Sequence, residues 1–529
     1  MGYLPLSMRL VPALAFLASA SLLGAVESGA SASTLPVLRL STALTLEQAI
    51  DRALQQNLGL AITRLDALRS LDSVDVSEAV FDPTFSWTNQ LTGGRTPTEL
   101  LGGVGADRAY NSDVSLSRKF TWGGVLTLGA GTTRTWKDSG YLTTPSLFDV
   151  ASSIAYTQPL LAGGWQAVNL TSLISARQSA LRSRLILRAA ALDLIRDAEV
   201  AYWSLAGART LVALRETSLR SAESLLTLVK ARRELGDATV LEELQAQADV
   251  SGQQVGVLNA RQSLDGAEMT LRRLLGQGTA ADIEQALVVA ELPRAGVAPP
   301  VSFQPWIKTV AAFDFDTAIQ LTNITQAEAL VEQAQQNNHP SLNLTLSGAA
   351  YGNPATGLSG GYDSYRNTKG WNNAAALTLS FPLGFREAEA NLRSASRARR
   401  QAELHLADTR LSLIYSARST WRDLEASRAR VSAATSALEL QRQSYEGERA
   451  RYDAGQSDIL RVLQAQAALD AAQVNWVQAL LDARASSAKV ARLDGSILPR
   501  HGFTMDAVEA KLGAGSGLDD RLPSLPDHP

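Results

Sequence analysis

One short stretch occurs twice in this chain. Arg451-Tyr452-Asp453-Ala454-Gly455-Gln456-Ser457-Asp458 leads into Leu463-Gln464-Ala465-Gln466-Ala467, and Leu235-Gly236-Asp237-Ala238-Thr239 leads into Leu244-Gln245-Ala246-Gln247-Ala248 at the same offset. A duplicated segment divides a chain into halves built to one plan, which constrains the fold more than any compositional value does. Each copy reads as the end of one long helix, a tight turn at glycine, and the start of another. Glycine suits such a turn because it takes positive φ without a Cβ penalty. Asp237 or Thr239 caps the next helix in the first copy, and Ser457 or Asp458 in the second.

The helices flanking these turns are long. Helical spacing runs from about Gln166 to Leu235 and from about Val240 to Leu275. It runs again from about Arg386 to Asp453 and from about Asp458 to Leu493. A run of about 70 residues spans roughly 100 Å, far beyond the mean helix of about 11 residues. Leu205, Val212, Leu219 and Leu226 fall seven apart, as do Leu424, Val431, Leu438, Tyr445 and Tyr452. That spacing forms a coiled-coil-like seam.

Ahead of each long helix the period changes to two. Phe85, Trp87 and Leu91 alternate with polar residues, as do Val114 and Leu116, Leu126 and Leu128, and Ile154 and Tyr156. Leu342, Leu344 and Leu346, then Leu377, Leu379 and Phe381, do the same in the second half. Segments near 93–105 and 138–146, and a polar Gly-rich stretch from about Gly348 to Gly370, read as loops. A helix from about Leu46 to Val80 precedes the first strands, with Thr45 and Gln48 set as a capping box. Another helix precedes His339-Pro340.

Strands with one apolar face and one Ser/Thr/Asn/Gln face suit a water-filled barrel in a bilayer, where every backbone group is paired around a closed ring. One chain offers about four to six strands, and the smallest such barrel needs about 8. The barrel is therefore expected to be shared between chains. A soluble sandwich packed by the same leucines is the alternative.

Residues 1–32 read as a secretory signal: Arg9, the apolar run Val11 to Val26, and Ala30-Ser31-Ala32 as a cleavage pattern. The other boundaries fall at 33–276 and 313–495 for the two repeats, 277–312 for a proline-rich linker, and 496–529 for a loosely ordered tail. The chain has no cysteine, which excludes disulfides, thiolate metal sites and a lipid-modified N-terminal cysteine. Its net charge of −3 and lack of a basic tract argue against nucleic acid as a partner. His339, His405, His501 and His528 stand in no metal-ligand spacing, and no nucleophile motif or phosphate loop is present. No enzyme activity and no cofactor are expected.

The order of these motifs resembles the TolC-like outer-membrane efflux proteins. The likeness covers about residues 44–495. It rests on Leu44-Thr45-Leu46-Glu47-Gln48-Ala49-Ile50, the junctions Asp82-Pro83-Thr84-Phe85 and His339-Pro340-Ser341-Leu342, the returns Gln158-Pro159-Leu160-Leu161-Ala162-Gly163-Gly164 and Phe381-Pro382-Leu383-Gly384, and the two tips.

The resemblance implies an α+β membrane protein with two internal repeats. It forms a homotrimer, with a barrel of about twelve strands in outer-membrane lipid continued by an α-helical barrel across the periplasm. It implies an exit duct for a tripartite efflux pump or type I secretion system, met by a periplasmic adaptor and an inner-membrane pump. The docking tips are then Leu235, Gly236, Asp237, Ala238 and Thr239 with Ala454, Gly455, Gln456, Ser457 and Asp458. Gate candidates are Tyr452, Asp458, Arg461 and Gln464, although the family's acidic constriction is not matched at Arg461 and Gln464. The first half holds four strand-like runs where the family uses two. The extra hairpin, about 111–136, either joins the barrel or lies outside it. A non-conducting coiled-coil periplasmic or cell-surface structural protein is the competing function.

Overall fold

The structure is a computed structural model that describes residues 43–98, 103–138, 146–279, 287–289, 302–367 and 370–513. The expected signal peptide, much of the 277–312 linker and the end of the tail lie outside the described residues.

The opening helical segment is two helices, α1 (Leu46–Gln56) and α2 (Leu58–Glu78), followed by one 3₁₀ turn, Ala79–Phe81. The single helix expected over 46–80 is broken at Asn57, which sits in an extended conformation. Asn57 stays there because its side chain is used twice. Its Oδ1 accepts the Leu60 N–H at 2.9 Å, and its Nδ2 donates to the Leu274 carbonyl at 3.0 Å. Helix periodicity does not register a break of one residue when apolar spacing resumes beyond it. The Thr45–Gln48 capping box is present as the sequence indicates.

Four strands follow: β1 (Thr84–Thr98), β2 (Gly103–Lys119), β3 (Val125–Asp138) and β4 (Leu147–Pro159). The strands run further into 93–105 than the glycines there suggest, because Gly93 and Gly94 pair with Arg108 and Asp107 in the ladder. Then come α3 (Gln166–Glu234), α4 (Val240–Leu274), α5 (Phe303–Ala312) and α6 (Phe315–Asn337). The second half continues with β5 (Ser341–Tyr351), β6 (Ala355–Thr356), α7 (Leu358–Asn367) and β7 (Gly370–Ser380). It closes with α8 (Arg386–Asp453), α9 (Ile459–Leu493), α10 (Ile497–Arg500) and α11 (Met505–Gly513).

Three segments expected to be irregular hold regular structure. Within the linker, α5 is anchored by Trp306 and Val310, which pack with Ala417, Trp421, Leu424 and Val490. The Gly348–Gly370 stretch contains α7, whose Gly361 lies against Phe148 and Val150 of β4. The tail forms α10 and α11, with Ile497, Leu498 and Val508 buried.

One antiparallel sheet takes the order β1-β2-β3-β4-β5-β7, with the short β6 also on β4. The 111–136 hairpin therefore lies inside the sheet. Register keeps one face apolar across the first four strands: Phe85 opposes Leu116, Leu116 opposes Leu128, and Leu128 opposes Ile154. Farther along, Leu344 opposes Leu377. The other face is laced by hydroxyl contacts, Ser86 to Ser115 at 2.7 Å and Thr157 to Thr345 at 3.3 Å. Phe85, Trp87, Leu91, Ile154, Leu346 and Leu377 are exposed in the single chain. Among the described residues no helix is long and apolar enough to cross a membrane.

In the helical body Leu44, Ile50, Leu192, Ile195, Tyr202, Leu205 and Leu271 are fully buried. There Tyr202 donates its hydroxyl to the Leu44 carbonyl at 3.0 Å. In α8 the seven-residue seam is buried or half-buried throughout. The α3 seam is covered to the same degree, Leu205 buried and Val212, Leu219 and Leu226 half-buried, with Ala222, Leu225 and Val229 buried beside it.

Candidate functional site: the two hairpin tips

The α3–α4 and α8–α9 turns have the same backbone. In the first, Gly236 donates to the Arg233 carbonyl at 3.0 Å and Asp237 to the Arg232 carbonyl at 2.8 Å. In the second, Gly455 donates to Tyr452 at 3.0 Å and Gln456 to Arg451 at 2.8 Å. This paired pattern satisfies the last helical carbonyls and needs a left-handed residue at the glycine. Accordingly φ is +86° at Gly236 and +75° at Gly455. A Cβ on either would meet nothing within 4 Å, so conformation alone, not crowding, selects glycine there.

The structure also chooses between the capping candidates. Thr239 caps α4 in a capping box with Glu242. Asp458 caps α9, accepting the Leu460 N–H at 3.4 Å. Ser457 instead donates its hydroxyl to Glu448 at 2.9 Å, tying the turn back to α8.

A shared apolar cluster joins the two tips: Leu225 and Val229 of α3, Ala246 of α4, Tyr452 of α8, and Ile459 and Val462 of α9. Over it Arg232 reaches across, donating to the Tyr452 carbonyl at 3.0 Å and the Asp453 carbonyl at 2.9 Å. Its guanidinium lies 4.6 Å from the Tyr452 ring centre. A cation on the carbonyls that end a helix is favourable both as a hydrogen bond and toward the helix dipole. Burial pushes the Tyr452 phenol above its usual range, with the Arg232 charge opposing.

About 18 residues up α3 from Gly236, roughly 27 Å at 1.5 Å per residue, a polar junction links the hairpins again. Asp470 of α9 is buried and accepts from Ser218 of α3 at 2.6 Å and from Gln253 of α4 at 2.7 Å. Arg215 stands 3.7 Å away. Asp249 beside them has its carboxyl raised above the usual range, chiefly by burial, with Gln253 opposing and Asp470 adding to the rise.

The sequence-derived candidates thus separate. Tyr452 is buried between the hairpins. Asp458, Arg461 and Gln464 are exposed, the latter two three residues apart on one face of α9. Leu235, Gly236, Asp237, Ala454, Gly455 and Gln456 form the exposed ends, while Ala238 is half-buried against the shared cluster. Arg232 and the Asp470 junction were missed. For Arg232 the only signal was a basic pair, Arg232-Arg233, in the last turn of a helix, and Arg233 instead pairs with Glu243.

A family model described as outer membrane efflux protein matches residues 108–277 and 312–496. The chain is 28% identical over 373 residues to the pyoverdine export outer membrane protein OpmQ of Pseudomonas aeruginosa, a match spanning 66% of this chain and 72% of that protein. The fold is similar to that of the outer membrane protein VceC of Vibrio cholerae, with a TM-score of 0.63 at 17% identity, covering 85% of this chain and 95% of that one. It is also similar to the CmeC outer membrane channel of Campylobacter jejuni, with a TM-score of 0.63 at 17% identity, covering 90% of each chain.

Proposed function

The chain belongs to the outer membrane efflux protein family and is an outer-membrane efflux channel, and from that premise we propose that it works as a homotrimeric exit duct. Cargo enters from a periplasmic adaptor and an inner-membrane pump or secretion machine and leaves to the exterior. The observation that supports this most is the sheet. It exposes an apolar face, turns a hydroxyl-rich face the other way, and among the described residues leaves β1 and β7 each with one edge unpaired. Open sheet edges do not persist in lipid, so a closed ring built from several copies satisfies them.

The adaptor docks on the tips. Leu235, Val240, Leu241 and Leu244 make an exposed apolar row at the first tip, and Gln456, Ser457 and Asp458 a polar rim at the second. Arg461 and Gln464 face the constriction, and Tyr452 with Arg232 holds the two hairpins in their closed arrangement. The family is one of channels rather than enzymes.

The test is extraction and mass. The protein should leave membranes only with detergent, run as a trimer by light scattering, and conduct ions when reconstituted in a planar bilayer. Release by salt alone, or a monodisperse monomer without conductance, would favour the structural-protein alternative.

A further inference from the structure

We infer that the β2–β3 hairpin is part of the barrel wall, so that three chains close a ring of about eighteen strands, six from each. This rests on the trimeric duct proposed above and departs from the twelve-stranded ring that the resemblance implies. Four observations carry it.

The hairpin is paired on both sides over most of its length. β2 is in register with β1 from Thr84↔Ser117 to Thr98↔Gly103, and β3 with β4 from Val125↔Thr157 to Thr135↔Leu147. In a four-strand chain β1 would lie directly on β4. Here two full strands separate them.

The hairpin carries the same two faces as its neighbours. Val114, Leu116 and Leu128 continue the apolar face, while Ser115, Ser117 and Thr127 continue the polar one. A hairpin lying outside the wall would have no need to match that alternation on both flanks.

Its turn is fixed to the rim where strands become helices. Trp122 donates its indole N–H to the Tyr156 hydroxyl at 3.1 Å, and Gln158 donates to the Trp122 carbonyl at 3.2 Å. A Cβ on Gly123 would come within 2.3 Å of the Gly163 carbonyl. The hairpin therefore runs the height of the sheet, down to the same level as Pro159.

Parity is preserved as well. β1 leaves the helical end and β7 returns to it, so β7 of one copy meets β1 of the next antiparallel. Adding two strands keeps that alternation, whereas adding one would force a parallel seam. Barrel diameter grows roughly in proportion to strand number, so eighteen strands widen the ring about 1.5-fold over twelve and its cross-section about twofold. The outer section then resembles the larger porins, which leave an aqueous channel. It imposes no size limit of its own, and the limit on cargo lies in the helical section below.

Short-span thiol crosslinking in native membranes tests this, since the chain has no cysteine to compete. Phe85→Cys with Ile154→Cys should give no link within the chain, because three strand spacings of about 4.8 Å separate them. Leu128→Cys with Ile154→Cys should link within the chain. Trp87→Cys with Leu377→Cys, or with Leu379→Cys to allow for register, should give covalent dimers and trimers. If Phe85 links to Ile154 while the interchain pairs still form, the hairpin lies outside the wall and the inference is overturned, with the trimeric duct intact. If no interchain pair forms, the shared barrel itself is wrong and the inference falls with it. Strand counting by electron cryomicroscopy in nanodiscs gives the same decision: eighteen supports the inference and twelve overturns it.

Discussion

Val240 and Ile459 each stand four residues past the glycine of their tip, yet Val240 is 62% exposed and Ile459 is fully buried. The identical Leu-Gln-Ala-Gln-Ala run diverges in the same way. Ala246 is buried and Gln247 exposed in the first copy, whereas in the second Gln466 is buried and Ala465 only half-buried. The turns match in the backbone hydrogen bonds that close the first helix of each hairpin. The duplicated sequence therefore sets how each hairpin reverses, and the packing of one hairpin on the other sets which face is covered. In the single chain the first tip presents apolar residues outward, and the second is the one held.

Several changes would break or sharpen this contrast. The largest effect is expected from Tyr452→Ala. Removing a buried aromatic costs about 3–5 kcal/mol, so amide-exchange protection across the second tip should fall by roughly a hundredfold or more. Leu235→Ala, 79% exposed at the first tip, should stay within about 0.5 kcal/mol. Equal losses at both would show that the tips do not differ as described.

Next comes Arg232→Ala, which removes both donors to the α8 carbonyls and the cation over Tyr452. A loss of about 1–3 kcal/mol is expected, read as a raised baseline conductance of the reconstituted channel. Arg232→Lys should recover only part of it, because an ammonium cannot span two carbonyls while lying flat on a ring. An unchanged baseline in Arg232→Ala would remove this residue from the closed arrangement.

Gly236→Leu and Gly455→Leu should each cost about 1–2 kcal/mol through the left-handed conformation alone. Asparagine, which tolerates that conformation, should restore most of the stability at either position. Here the two tips should behave alike, and thermal unfolding checks it. If only one glycine proved sensitive, the shared turn geometry would be wrong.

Leu241→Ser should leave stability within about 0.5 kcal/mol but weaken adaptor crosslinking at a cysteine placed at Gln456 or Ala238. Retained crosslinking and export would show that the apolar row of the first tip is not a docking surface.

The smallest effect concerns Asp249 and pH. Its carboxyl is raised in the folded state, so the folded chain holds this proton more tightly than the unfolded chain does. The group's contribution is most favourable below the unfolded carboxyl value and is lost as pH rises through the folded one. Asp249→Asn should therefore raise the unfolding temperature near neutral pH, with the gain fading on acidification. A gain constant across that range would assign the effect to something other than ionisation.

Much of the architecture could be read from the residues. Glycine at the tips, the seven-residue seam of α8, the Thr45–Gln48 cap and the alternating strands are local signals, set by backbone conformation and by period. Hidden features were those in which one residue serves a distant partner. Asn57 breaks a helix because it caps Leu274, 217 positions away. Arg232 acts through carbonyls of another helix, and Asp470 gathers Ser218 and Gln253 from two more. Glycines in 93–105 read as loop but pair within a ladder.

By itself, the sequence determined two repeats, their turning points, the lengths of the long helices and the two-faced strands, because each depends on residues near one another along the chain. The tertiary structure alone decided that the β2–β3 hairpin joins the sheet, that Ile459 beside the second tip is buried where Val240 beside the first is bare, and that Tyr452 lies between hairpins while Arg461 and Gln464 stay exposed. Those outcomes depend on which surfaces meet. A repeat carries the same local instructions twice and cannot specify that its two copies meet different neighbours.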